Sequence, residues 1–331
     1  MKETIYIFSD GRLKRKDNTL FFEKSDGQKK FIPIENIKEI FAFGEVDLNA
    51  KVLNLLSQKN IILHYFNYYD FYSGSFYPRE HYNSGYMILN QASHYLDKEK
   101  RLNLAKKFIL GAALNSLIVL KYYNRRGKKL NNQIKEIERL MEEVEKQNDI
   151  NSAMAFEGQI KSTYYSCFNE IIENRDFIFG ERTRRPPKNN INALISFSNS
   201  IVYTKVLSEI YQTHLDPRIG FLHASNFRRF SLNLDVAEIF KPIIGDRTIF
   251  ACLNKKIITK KDFESALNGV VLNENGRKKF LTQFEEKEKQ TIYYSKMKKK
   301  VSYRRLIRLE LYKIEKHLMG EEEYIPFIME W

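Results

Sequence analysis

Glu157 is the first residue whose setting could support chemistry, because it is an acid in an otherwise small and apolar stretch, AMAFEGQIKSTYY. Apolar residues at helical spacing (Ala153, Phe156, Ile160 and Tyr164) mark the buried side of a predicted helix, and Glu157 lies on or beside that side. Burying a carboxylate is costly unless a cation or a hydrogen-bond donor meets it. The sequence leaves two interpretations open: a metal ligand, or a structural ion pair with a lysine or arginine.

A histidine and two acids lie close together later in the chain. His223 follows the irregular turn DPRIGFL, where a lone histidine is more often a satisfied core residue than a ligand. Asp235 and Glu238, in SLNLDVAEIFKPII, are i and i+3, so on a helix they share one face. Their like charges repel unless something positive lies nearby, which could be Lys241, Arg228 or a divalent ion.

One imidazole with two or three carboxylates makes an oxygen-rich ligand set. Such a set suits Mg²⁺ or Mn²⁺, with the imidazole favouring Mn²⁺, and it lacks the sulfur or several histidines expected for zinc. Cys167 and Cys252 have no paired spacing and are interpreted as buried thiols. Because many arginines and lysines lie near these acids and could hold phosphates, phosphodiester chemistry is the natural hypothesis.

The charge balance indicates a polyanionic partner. Lysine and arginine total 55 against 41 acids, a formal net charge of +14. A protein with that surplus usually binds a polyanion, although some basic proteins are simply basic. For each basic residue the alternative to a DNA contact is a solvated charge. The candidates for contact with the DNA backbone are Arg184, Arg185, Lys188, Arg228, Arg229, Lys241, Arg247, Arg304, Arg305 and Arg308. The last three are spaced to reach one strip of surface.

The elements that must position these residues change in character near residue 85. Before it, short runs such as TIYIFS, NTLFFEK and IKEIFAF predict an antiparallel sheet folded as a small sandwich, with one helix near 49–59. After it, apolar residues recur at three and four, and Asp97 is a plausible N-cap. Helices are predicted near 97–126, 130–146, 152–173, 191–211, 231–252, 260–268, 276–289 and 301–319.

We therefore predict an α+β protein, with a β-sandwich domain over residues 1–85 and a larger all-α catalytic domain over residues 86–331. No apolar run long enough to span a membrane and no signal peptide is evident in the sequence, so we expect a cytoplasmic protein.

Across the same motifs the sequence resembles the catalytic subunit of CRISPR adaptation, the spacer integrase family, and specifically its subtype I-B branch. The similar segments run from about Thr4 into the final helix, and their order and spacing match the family. They include FSDGRLKRKDNTLFFE, FNYYDFYSGSFYPRE, FEGQIKSTYY, RRPPKNNINALISF, DPRIGFLHA and SLNLDVAEIFKPII.

The resemblance implies an N-terminal β-sandwich that dimerises and a helical domain that carries catalysis. It also implies metal ligands at Glu157, His223 and Glu238, with Asp235 as a supporting acid or substitute ligand, and Mg²⁺ or Mn²⁺ as the cofactor. The implied partners are a double-stranded DNA fragment, CRISPR repeat DNA and a small ferredoxin-like adaptation subunit that binds the homodimer.

The implied reaction is transesterification, in which the 3′-hydroxyl of a short captured DNA fragment attacks a phosphodiester at the edge of a repeat. Two alternatives remain open. One is a stand-alone structure-selective nuclease that acts on branched DNA, and the other is a non-enzymatic nucleic-acid-binding scaffold.

Overall fold

Short strands make up most of the first 80 residues, and long apolar helices make up most of the rest. The computed structural model describes residues 3–78, Tyr82, 84–225, 230–266 and 268–330. The chain divides into two units, residues 1–81 and 82–331, four residues before the predicted boundary. The α+β class predicted from the sequence is confirmed.

Strands and a single helix form the described part of the first unit. In chain order these are β1 (Glu3–Ile7), β2 (Gly11–Lys16), β3 (Thr19–Lys24), β4 (Lys29–Ile32), β5 (Ile37–Ala42), β6 (Val46–Asp47), α1 (Ala50–Lys59), β7 (Ile62–Phe66) and β8 (Tyr72–Phe76).

Two four-stranded sheets result, in the orders β1-β5-β7-β8 and β4-β3-β2-β6. A shared core lies among both sheets and α1, and includes Leu13, Leu20, Ile40, Leu56 and Leu63. The prediction of an antiparallel sheet was wrong in part, because β1, β5 and β7 pair in parallel. Alternation of apolar residues does not encode strand direction. Parallel neighbours need a crossover, here the β2–β4 segment and α1.

Helices dominate the second unit. In chain order its elements are α2 (Gly85–Leu96), α3 (Lys98–Asn124), α4 (Asn131–Lys146), α5 (Ile150–Ser166), α6 (Phe168–Ile171), α7 (Asn190–Ile210), α8 (Leu232–Phe240), α9 (Arg247–Asn254), β9 (Phe263–Ala266), β10 (Gly269–Leu272), α10 (Glu274–Lys289), β11 (Thr291–Tyr294), β12 (Lys299–Ser302) and α11 (Tyr303–Leu318). The side chain of Asp97 caps α3 as predicted, and Asp149 caps α5.

Three details of the second unit differ from the prediction. The helix expected over 231–252 is interrupted by π-helical turns at Lys241–Asp246, where Pro242 has no amide hydrogen to continue the α-helical ladder. The helix expected over 260–268 is a 3₁₀ turn followed by the antiparallel pair β9–β10. A second antiparallel pair, β11–β12, precedes α11, so the unit is not all-α.

Helix α3 lies at the centre of the second unit and contacts α2, α4, α5 and α8. It is long and apolar enough to cross a membrane by length and composition, which the sequence analysis overlooked. More than half of its most apolar window is buried against other elements, as is typical of a core helix. Gly111 allows the C-terminal segment to approach, since a Cβ there would lie 2.6 Å from the Cβ of Pro326.

Asn115 ties α3 to two other parts of the unit. Its fully buried amide donates to the carbonyls of Ile239 (3.0 Å) and Phe327 (2.9 Å), and its oxygen accepts from the amide of Met329 (2.9 Å).

We expect Asn115→Ala to lower the free energy of unfolding by about 3 kcal/mol, because three buried backbone groups lose their partner. Urea unfolding measures this. The exposed Asn103→Ala on the same helix serves as the control, and equal stability of the two variants would contradict the account.

Candidate active site

A small cavity opens where α5, α8 and the π-helical turns meet the side of α3. Helix α5 contributes Glu157, Lys161 and Tyr164 to its wall. Helix α8 and the π-helical turns contribute Glu238, Lys241 and Asp246. The α3 side consists of Ile109, Ala112, Ala113 and the single polar residue Ser116. The structure therefore brings Glu157 and Glu238, two of the predicted site residues, to one place from separate helices.

Two lysines neutralise these carboxylates. The Lys161 ammonium lies between them, bonded to Glu157 on its own helix and 2.9 Å from Glu238 Oε2. The Lys241 ammonium lies 2.6 Å from Glu238 Oε1. The structural ion pair considered for Glu157 is thus present, and its partner is Lys161. Lys161 was not predicted as a site residue, although its position at i+4 from Glu157 was a usable signal.

The Glu238–Lys161 pair favours its charged form. Burial by itself raises the pKa of Glu238, but the Lys161 and Lys241 ammoniums outweigh it and hold that pKa well below its usual range. Burial likewise lowers the pKa of Lys161, yet Glu238 and Glu157 raise it above the usual value overall. Glu238 and Lys161 are thus both held in their charged forms, and the formal charges of the two acids and two lysines sum to zero.

Asp246 is a third acid on the cavity wall, which the sequence analysis missed. It is 2% exposed, and its Oδ1 has no hydrogen-bond partner among the described residues. Burial raises the pKa of Asp246 to about 7. The signal in the sequence was an acid directly after the apolar run PIIG, the same kind of context that singled out Glu157.

His223 and Asp235 form a separate cluster at the start of α8. Asp235 is fully buried, and its carboxylate accepts the amides of Phe221 (2.6 Å), Leu222 (3.0 Å) and His223 (3.0 Å). It also accepts from Nδ1 of the His223 ring at 2.7 Å. A carboxylate can only accept, so Nδ1 carries the proton and the lone pair of Nε2 is left for a ligand. With two donors on each oxygen, Asp235 orients His223 and has no lone pair directed at a metal.

Gly220 permits this close approach of the DPRIGFLHA turn to α8. A Cβ at Gly220 would lie 2.7 Å from Asp235 Oδ2 and 2.6 Å from the carbonyl carbon of Ser231. The amide of Gly220 donates to Ser231 Oγ at 2.8 Å, which fastens the turn at its other end. A larger residue at position 220 would therefore collide with the start of α8.

The three predicted ligands are not gathered as a set. His223 does not line the cavity of Glu157 and Glu238. Over the described ranges, no three His, Cys, Asp or Glu side chains lie close enough to hold one ion. Asp235 and Glu238 are nevertheless i and i+3 on α8, with Cβ atoms about 5–6 Å apart, so the His223 ring is anchored one helical turn from the cavity.

The donors in this region fit a hard divalent cation. Glu157 and Glu238 both bind the Lys161 ammonium, and Asp246 on the same cavity wall has a buried oxygen with no hydrogen-bond partner among the described residues. Carboxylate oxygens with one imidazole nitrogen are the donors that Mg²⁺ and Mn²⁺ accept. The identity of the ligands and of the ion stays a prediction.

Comparison with known proteins assigns the chain to a family. The sequence profile described as CRISPR associated protein Cas1 matches residues 5–286. The chain belongs to the Cas1 family. It is 58% identical over 331 residues, the full length of both chains, to a CRISPR-associated endonuclease Cas1 from Thermodesulfovibrio yellowstonii.

Solved structures agree with this assignment. A Cas1 protein from Thermotoga maritima superposes with a TM-score of 0.87 at 45% identity, covering 97% of this chain and 98% of that one. A casposase bound to integration product has the same fold, with a TM-score of 0.88 at 20% identity over 99% of this chain and 93% of that one. Assignment to subtype I-B within the Cas1 family stays a prediction.

The basic residues predicted to contact DNA have unlike environments. Arg184, Arg185 and Lys188 are exposed on the loop before α7, and Arg305 is exposed on α11. Arg247 is half-buried, with its guanidinium 5.4 Å from the centre of the Tyr122 ring. Arg228 and Arg229 lie outside the described residues.

The prediction that Arg304, Arg305 and Arg308 share one strip of surface was wrong. Arg304 and Arg308 turn towards α7, where their Nε atoms lie 3.2 Å and 2.7 Å from the buried carboxylate of Glu209. Positions i and i+4 share a helix face, whereas i+1 points elsewhere. Lys241 is likewise bound to a carboxylate, Glu238, and is largely buried.

Asp246 predicts a pH dependence of stability. Its folded pKa of about 7 exceeds the value of 3.8 expected when unfolded. Between those pH values the folded chain holds a proton that the unfolded chain has lost, so the free energy of unfolding falls as pH rises, by at most about 1.4 kcal/mol per unit. Asp246→Asn should flatten this slope. Thermal unfolding from pH 4 to 8 in chelator tests it, with the exposed Asp176→Asn as control. Parallel curves for parent and Asp246→Asn would contradict the assignment.

The arginines of α11 predict two separable effects. Arg308→Met should lower the free energy of unfolding by about 2 kcal/mol, because it removes one partner of a buried carboxylate. Arg305→Met should leave stability unchanged within about 0.5 kcal/mol and weaken DNA binding with a smaller salt dependence. Denaturant unfolding and fluorescence anisotropy at several salt concentrations measure both. If Arg308→Met kept its stability and lost DNA affinity, the ion pairs with Glu209 would be dispensable and Arg308 would face DNA.

Proposed function

We propose that the protein is a metal-dependent DNA integrase and endonuclease, which joins 3′-hydroxyl ends of short captured DNA fragments into a CRISPR repeat array. One observation carries the proposal: Glu157 and Glu238, acids from α5 and α8, converge on a single positive charge one helical turn from an oriented histidine. Membership of the Cas1 family supports it, as do the endonuclease name of the 58%-identical relative and the overall charge of +14.

Glu157, Glu238 and His223 are the residues that would hold Mg²⁺ or Mn²⁺. When bound, such an ion neutralises charge on the phosphate under attack and lowers the pKa of the attacking hydroxyl. Glu157 and Glu238 would supply anionic oxygens, and Nε2 of His223 would supply the single nitrogen. Asp235 supports the site from outside the ligand set by fixing the His223 tautomer and ring orientation.

The reaction is an exchange of one phosphodiester for another. A bond forms between the fragment's 3′-oxygen and the phosphorus of the repeat, and the bond from that phosphorus to the repeat's own 3′-oxygen breaks. The proton lost by the attacking hydroxyl is balanced by the proton gained by the leaving oxygen, so no nucleotide cofactor is needed. Lys241, at the cavity wall, contributes a fixed positive charge where phosphate charge builds up.

The proposed partners follow from the same resemblance. They are a double-stranded DNA fragment, CRISPR repeat DNA, a second copy of the chain and a small ferredoxin-like adaptation subunit. Exposed basic residues such as Arg184, Arg185 and Lys188 fit contact with the DNA backbone, which fixes position and carries little base specificity.

The test is strand joining by variants of the site. Glu157→Ala, His223→Ala and Glu238→Ala should each lose roughly 100-fold or more of the joining rate in Mn²⁺, because each removes a ligand. Asp235→Asn should lose about 10- to 100-fold, because it misorients His223. DNA affinity in chelator should stay near that of the parent. The exposed Glu142→Ala on α4 is the matched control and should keep full activity.

Product analysis separates the alternatives. Joined molecules longer than the starting strands support the integrase, whereas fragments alone support a structure-selective nuclease built on the same residues. Joining at the parent rate by all three alanine variants would overturn the proposed site. DNA binding with neither joining nor cleavage at any metal concentration would leave only a nucleic-acid-binding scaffold.

A further inference from the structure

Lys161 lies where a shared cation must lie. Its ammonium bonds to Glu157 Oε1 on α5 and to Glu238 Oε2 on α8, while Lys241 takes the other oxygen of Glu238. An ion that bridges Glu157 and Glu238 would need oxygen bonds of roughly 2.0–2.3 Å to the same two carboxylates. It would therefore compete with the ammonium that now lies between them.

Electrostatics favours an exchange over simultaneous binding. The formal charges of Glu157, Glu238, Lys161 and Lys241 sum to zero. Even with the neighbouring Asp246 counted as ionised, a divalent ion added to them would leave a surplus of positive charge in a largely buried site. Release of one ammonium lowers that surplus. Lys161 is the one that can leave more easily, because its side chain is 28% exposed against 16% for Lys241. Its flexible stem allows the ammonium to swing outwards.

A released Lys161 ammonium would stay attached to α5 and would be free to pair with another anion. In a chain with a formal net charge of +14 and the DNA substrate proposed above, a DNA phosphate is the anion that fits. We propose that Lys161 is an exchangeable counter-ion: a divalent cation displaces its ammonium from Glu157 and Glu238, and the freed ammonium pairs with a DNA phosphate. This inference rests on the proposed metal site of Glu157 and Glu238.

The exchange makes metal and DNA bind cooperatively. A bound phosphate stabilises the displaced position of Lys161 and so strengthens metal binding, and by linkage the metal strengthens DNA binding by the same factor. A lysine with a purely structural role predicts neither competition with metal nor a coupling that depends on residue 161.

The experiment measures Mn²⁺ affinity by calorimetry and DNA affinity by anisotropy, with each ligand present and absent. In the parent chain, saturating DNA should tighten Mn²⁺ binding. Lys161→Met should bind Mn²⁺ alone roughly tenfold more tightly than the parent, because no hydrogen-bonded ammonium has to be displaced. In the same variant, DNA should no longer tighten Mn²⁺ binding.

Two further variants sharpen the comparison. Lys161→Arg keeps the positive charge and should keep the weaker parental Mn²⁺ affinity. Lys279→Met removes a lysine from another buried carboxylate, Asp262, to which it is bonded at 2.8 Å, and should change neither affinity nor coupling. If Lys161→Met does not fold, Lys161→Gln takes its place and should give the same direction of change.

The outcomes distinguish this inference from the function on which it rests. Unchanged or weaker Mn²⁺ binding by Lys161→Met, with normal binding by the parent, overturns the exchange and leaves the metal site intact. Failure of both the parent and Lys161→Met to bind Mn²⁺ overturns the metal site and the exchange together. Tighter binding with DNA coupling fully retained overturns the role of the freed ammonium.

Discussion

The second unit depends on a requirement that buried carboxylates be neutralised. Glu157 and Glu238 project from α5 and α8 into a cavity against α3, where a single unpaired charge would be strongly destabilising. Lys161 and Lys241 supply the compensating charges from within the same two segments of chain. Because these charges are neutralised, α5 and α8 can pack closely against α3. Folding of the helices thereby brings Glu157 and Glu238 together.

The buried carboxylate that binds the DPRIGFLHA turn, Asp235, is stabilised by hydrogen bonds and, within the described part of the chain, not by a lysine. Asp235 satisfies three consecutive backbone amides of the DPRIGFLHA turn and still accepts from the His223 ring. One carboxylate thus shapes the loop and sets the histidine tautomer. Because Asp235 and Glu238 lie on the same face of α8, the helix links the oriented imidazole to the charged cavity. The π-helical turns that follow bring Lys241 and Asp246 onto that cavity's wall as well.

Much of this arrangement was predictable from the sequence, for identifiable reasons. The periodicity of apolar residues located the helices that carry Glu157 and Glu238, and an acid in an apolar context marked Glu157 correctly as unusual. Strand direction was not predictable, since β1, β5 and β7 align in parallel through crossovers that leave no local pattern. Strand β9 lies in the segment 260–268, which was predicted as helix because a short charged segment satisfies either period, and the β11–β12 hairpin was not predicted at all.

Prediction of the site was limited by pairings across long sequence separations. Arg304 and Arg308 bind Glu209 and so do not share a surface strip with Arg305. This pairing depends on how α11 packs against α7, which the sequence of α11 alone does not show. Lys161 and Asp246 were both visible in the sequence, one at i+4 from Glu157 and one after an apolar run. These signals marked each residue as unusual, but only the placement of α5 beside the π-helical turns shows that both line one cavity.

The central claim is that Glu157, Glu238 and His223 meet around one divalent cation. Anomalous diffraction from a crystal soaked in Mn²⁺, collected near the manganese absorption edge, tests it most directly. We expect one strong peak at roughly 2.0–2.3 Å from oxygens of Glu157 and Glu238 and from Nε2 of His223, with the Lys161 ammonium moved away from both carboxylates. A peak bonded to neither glutamate, or one that leaves the Lys161 bridge intact, would contradict it.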